Sequence, residues 1–322
     1  MTKIITNSNR LINHQDHLKN WIQEKIDTLS EELELSTLER IIISENFTKD
    51  VKEVQLEYQM ISMGHTNKGE VSAAAIVLFG KENNILKHTI ILNDNIAVPF
   101  VTGKYIQDAF HLLHHELYHV HDQNLRHKIE FDNSNFDQLD NIIYQISASI
   151  WSEYFALRSA SKSHPGIEGL EEMDSHDFYF STLKKLIISC ESSIIEAISN
   201  YRFDADIENL LNIFSSETSL LLKISATTMG YIDGLSLSKH KVNSVIENHI
   251  RNTYLKDTWN EQRKILNELF EIFPAWKSKN RLLDLKPSIL SLWEYFGIFP
   301  EIRDDKLYIS VPLTKPPTGD ER

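Results

Sequence analysis

A chain of 322 residues is long enough for one large or two intimate domains, and 41% hydrophobic with 25% charged residues is the balance of an ordinary globular protein. The net charge of −13 disfavours nonspecific binding to nucleic-acid phosphates or anionic membranes, which would repel the chain. The single cysteine, Cys190, excludes an intramolecular disulfide. With no signal-like apolar core in the first 30 residues and no apolar run of about 18, a cytoplasmic protein is expected.

In chain order, residues 15–34 read as an amphipathic helix with Leu18, Trp21, Ile22, Ile26 and Leu29 on one side. Four short strands are expected at 40–44, 54–58, 73–79 and 88–92, of which 73–79 is almost wholly apolar and reads as central. Asn93-Asp94-Asn95 and Pro99 mark a turn. A helix over about 103–123 follows, with Thr102 as its N-cap. A second long helix contains residues 142–156. From Glu172 onward helical patterns dominate, at about 174–199, 203–214, 217–236, 241–272 and 287–297, before a lone strand at 307–311. Strands followed by helices predict an α+β fold, divided into residues 1–165 and a helical domain over 166–322. No internal repeat is apparent.

The 103–123 helix carries the chemistry. Ile106, Phe110, Leu113, Leu117 and Val120 form its apolar stripe, and Asp108, His111, His115, His119 and Asp122 form a polar one. Surface helices usually carry Lys and Glu on such a stripe. Here His115-Glu116-Leu117-Tyr118-His119 is an HExxH motif, with two imidazoles one turn apart on one face. Both can reach a single ion, and Glu116 can take a proton from a water on it. His111 reads as a rim residue, since three successive turns of one helix do not converge on an ion. His114 and His121 point away from the stripe and read as surface or packing residues.

Hydrolytic zinc sites take three protein ligands. On the next helix, Glu153 interrupts a face of Ile146, Ile150, Ala156, Leu157 and Ala160, so its carboxylate needs a cation or strong donors. Zinc meets that need; an ion pair with Arg158 or with a lysine elsewhere would also meet it. Asp122 has three readings: a hydrogen-bond acceptor behind a ligand histidine, a direct ligand in place of Glu153, or a solvated carboxylate near a helix end. Two imidazoles and a carboxylate suit Zn2+. Glu116 and His119 also make half of a di-iron signature, but no second ExxH follows in frame.

His115, Glu116, His119 and Glu153 together resemble the zincin metallopeptidases, in the gluzincin pattern of HExxH plus a later glutamate, over about residues 40–160. The resemblance implies a small antiparallel or mixed sheet whose edge strand holds the substrate backbone. It also implies zinc on His115, His119 and Glu153, with Glu116 as general base. Two departures stand out. Leu157 occupies the position where thermolysin-like members have an aspartate, and Asp122 and Leu125 stand where metzincins have glycine and a third histidine. No subfamily follows.

Peptide hydrolysis would gain from a donor near the developing oxyanion. Tyr231, among the small residues of 228–234, is the leading candidate, and Tyr154, Arg158 and His240 compete with it. The expectation is a zinc-dependent peptidase acting on a peptide or protein. The alternatives are a non-catalytic metal-binding regulatory module of zincin fold and a helical scaffold with an accidental motif.

Overall fold

Two β-branched runs build the centre of the main sheet. Ile41, Ile42 and Ile43 in β2 (Leu38–Ser44) and Ile90, Ile91 and Leu92 in β6 (Ile85–Asn93) are all buried, so both faces of these strands are covered. Such strands read as continuous apolar runs and not as alternating ones. The computed structural model describes residues 2–60, 67–68, 71–82, 85–163, 174–235 and 249–312. They fall into two compact units, Met1–Lys128 with Ser159–Gly169, and Ile129–Arg158 with Leu170–Arg322.

The first unit holds the mixed sheet, in the order β1-β2-β6-β5. β1 (Lys3–Asn7) runs parallel to β2, and β2 runs parallel to β6. β5 (Ala75–Glu82) pairs antiparallel with β6 and, among the described residues, has no further partner in this sheet. The expected strand at 73–79 is therefore an edge and not a centre; Leu78 is buried against α2 residues, while Phe79 stays exposed. Two short strands, β3 (Asn67–Lys68) and β4 (Val71–Ser72), make a separate antiparallel pair.

α1 (Gln15–Leu29) buries Leu18, Ile22 and Ile26 at the predicted spacing. The expected strand at 54–58 is instead the end of α2 (Phe47–Glu57). Phe47, Val51 and Val54 share a helical face that packs on Ile42, Leu78 and Ile91, while Asn46 caps the helix by accepting from the Lys49 amide at 3.2 Å. Leu56, inside that expected strand, is left exposed.

The Asn93 to Pro99 turn is likewise a helix, α3 (Asp94–Thr102), capped by Asn93 and closed at Gly103 with φ 74°. Thr102 is thus the last residue of α3 and not an N-cap. Asp94 is buried and held by Ser8 at 2.8 Å and by the Arg10 guanidinium. α4 (Ile106–His127) follows Tyr105, itself at φ 57°, and packs against α3 and β5.

The second unit is helical. α5 (Gln138–Ala160) belongs to it through Arg158, and α6 (Asp174–Asp204) packs along α7 (Ile207–Gly234). α7 also meets α8 (Lys256–Ile272) and α9 (Lys286–Tyr295). Trp151 and Phe155 of α5 pack their rings on Phe273, with Trp276 against Trp151. The expected lone strand near 307–311 is half of a hairpin, β7 (Phe299–Arg303) with β8 (Lys306–Ser310). Residues 241–248 of the expected 241–272 helix lie outside the described residues. Among the described residues no helix is long and apolar enough to cross a membrane.

Candidate metal centre

α4 places its two motif histidines as the spacing requires. Leu113, Leu117 and Val120 are fully buried on its apolar side. One turn apart on another face, His115 and His119 bring their Nε2 atoms to 3.0 Å, with the rings at 87°. Two imidazole nitrogens facing each other this closely have room for one proton or one cation between them. Zinc–nitrogen bonds of about 2.0 Å at a tetrahedral angle would set the two nitrogens about 3.3 Å apart, so little movement is needed. Glu116, beside His115, is 5% exposed.

His111, expected on a rim, is buried; His114, expected at the surface or in packing, is packed, its ring against those of Phe110 and Tyr118. Their Nδ1 atoms lie 3.1 and 2.9 Å from the Ser163 hydroxyl, which donates its own proton to the Ala160 carbonyl at 2.8 Å. Both histidines must then donate, which fixes each as the Nδ1–H tautomer. Burial, reinforced by nearby Lys162, holds His114 down at about 4. Lys162 pairs with Glu32. His121 accepts the Glu34 amide at 2.8 Å through Nδ1.

Asp122 is completely buried, with its carboxylate in the fork of Arg126 at 2.7 to 3.0 Å, so the reading as a solvated carboxylate falls away. Arg126 lies one turn on, an ion pair that the i, i+4 spacing already offered.

In the second unit Glu153 keeps 16% side-chain exposure and pairs with Lys223 of α7, Nζ to Oε1 2.9 Å. This is the lysine that the sequence left unspecified. Its signal was there: Lys223 breaks the apolar run Leu220-Leu221-Leu222-Ile224 just as Glu153 breaks its own face. Tyr231 is fully buried, its ring 4.8 Å from that of Tyr179. Burial, with Tyr231 and Glu153 close by, pushes the Tyr179 phenol up. Tyr154 donates to Asp233 at 2.9 Å and accepts from Arg158 at 2.6 Å. Asp233 is further clamped by Arg263. These bonds tie Tyr154 and Arg158 into a network joining α5, α7 and α8. His240 lies outside the described residues.

Comparison with protein-family models, with curated proteins and with solved structures returns no match. The reading of the site accordingly rests on its own residues.

Proposed function

We propose that the protein is a zinc-dependent hydrolase of zincin type, acting on peptide bonds, with His115, His119 and Glu153 as the metal ligands. The observation that carries this reading is the His115–His119 pair, whose Nε2 atoms face each other at 3.0 Å beside the buried Glu116. Two imidazoles and a carboxylate are a donor set that could hold a metal ion, and one that suits zinc. A zinc ion bound there supplies a Lewis acid that polarises a carbonyl and makes water acidic near neutral pH.

Each residue then has one task. His115 and His119 present neutral nitrogens. Glu153 offers a carboxylate oxygen, and its Oε1 also accepts from Lys223. Glu116 accepts the proton of the attacking water and delivers it to the leaving amine. Among the described residues β5 has one neighbour in its sheet, and its other edge is a template on which an extended peptide can add as a further strand.

The Glu153–Lys223 pair favours a second reading of one residue, in which Glu153 serves only as an ion-pair partner within the helical unit. Metal analysis separates the two. Purified wild type should carry one zinc per chain, His115→Ala and His119→Ala should lose it, and Glu153→Ala should weaken it strongly. Glu116→Gln should keep the zinc while hydrolysis of a peptide library falls by about 10²- to 10⁴-fold, the expected loss of a general base. Full zinc in both histidine variants would overturn the site. Full affinity in Glu153→Ala would return Glu153 to the ion pair. A wild type that holds zinc but cleaves nothing would make the protein a non-catalytic metal-binding module.

A further inference from the structure

Within its own unit Glu153 pairs with the Lys223 ammonium and lies near the phenol of Tyr179, whose ring is 4.8 Å from that of Tyr231. A group that meets a reacting substrate must be reachable from the solvent side. Tyr231 is 0% exposed and so cannot be reached without displacing its neighbours. The Lys223 side chain is 33% exposed, while its charged end stays 2.9 Å from Glu153.

We propose that Lys223, in place of Tyr231, is the oxyanion-binding residue of the site, an inference that rests on Glu153 being a metal ligand. The distances within the second unit carry it. A zinc–oxygen bond of about 2.0 Å leaves an ion on Oε1 no more than about 5 Å from Lys223 Nζ. A dication and an ammonium sharing one carboxylate leave a net positive locus, which an anionic oxygen neutralises. Lysine suits this task because its ammonium is a compact charge with three donors, so it can hold Glu153 with one and turn another to a tetrahedral oxyanion. The ligand class is therefore an anionic oxygen at a metal-bound tetrahedral centre.

The test uses zinc-loaded full-length protein with inorganic phosphate as the tetrahedral probe, read by titration calorimetry, and zinc content measured on the same samples. Wild type should bind phosphate, Lys223→Met should bind it about 10- to 100-fold more weakly, and Lys223→Arg should restore most of the affinity, as expected for one charge-assisted hydrogen bond. Zinc content should remain one per chain in all three. Lys223→Gln, which keeps a donor but not the charge, serves should the methionine variant fail to fold, and it should fall with the methionine variant. Equal phosphate affinity in wild type and Lys223→Met overturns the proposal and leaves the metal reading standing. Loss of zinc in Lys223→Met or Lys223→Gln also overturns it, because Lys223 would then act only by holding Glu153. A wild type that takes up no zinc overturns the metal reading itself, and this inference falls with it.

Discussion

His88 illustrates how single residues hold α4 in place. It lies on the central strand β6 with no exposed surface, and its Nδ1 is 2.7 Å from the Thr37 hydroxyl. Thr37 donates to Asn124 of α4 at 2.7 Å, so it must accept from His88, and the ring is neutral with its proton on Nδ1. Burial, with His127 adding repulsion, lowers His88 to about 4. The unfolded value is near 6.5, so the unfolded chain binds the extra proton first. Stability from His88 is therefore complete above about pH 6.5 and is lost as the pH falls towards 4, by at most about 3 kcal/mol. Urea unfolding at pH 7 and pH 5 should give a lower midpoint at the acid pH for wild type and a smaller drop for His88→Gln. An equal drop in both would assign the acid sensitivity to other groups. Nothing in the sequence around His88 announces this role, because its partner Thr37 stands 51 residues away in the chain, and Asn124, to which Thr37 donates, a further 87 from Thr37.

Elements were legible where one face alone is apolar. The stripes of α1 and α4 gave both helices from the sequence, and the paired glutamate and lysine interruptions on α5 and α7 are real contacts. The polar stripe of α4 reads as a metal-binding face with His111 at its rim, and His111, His115 and Asp122 are all buried. A pattern of polar letters does not distinguish water from Ser163 or Arg126 as the partner. α2 is a related case: residues 54–58 taken alone do not show a helical face, which emerges once Phe47 and Val51 are counted. Packing between α5 and α7 was also invisible. A Cβ on Gly230 would stand 2.6 Å from the Tyr154 carbonyl oxygen and 3.2 Å from the Arg158 amide, both backbone atoms. Gly230→Ala gains about 1 kcal/mol of helix propensity but must push two backbones apart, which costs about 1–3 kcal/mol or more. The clash wins because neither atom can rotate away. The variant should unfold at lower urea than wild type; an unchanged or higher midpoint would mean that α5 and α7 yield at this crossing.

At the scale of the whole molecule, strands followed by helices predict an α+β chain, and the structure has a mixed sheet with a large helical part; among the described residues no helix is long and apolar enough to cross a membrane. What composition left open is how an acidic chain treats a cation. A net charge of −13 attracts any divalent ion weakly and without selectivity. The proposed site predicts something sharper. Imidazole nitrogens bind zinc well and are poor ligands for magnesium, which demands oxygen donors. Zinc binding to the folded chain alone adds RT ln(1 + [L]/Kd), about 2.7 kcal/mol at a free concentration 100 times Kd. Melting curves with micromolar zinc should therefore rise for wild type and return to baseline on adding a chelator, while millimolar magnesium leaves them unmoved. The His115→Ala/His119→Ala double variant should melt at the same temperature with and without zinc. If magnesium matched zinc, or if the double variant kept the zinc response, the stabilisation would come from the acidic surface and the histidine pair would have no part in it.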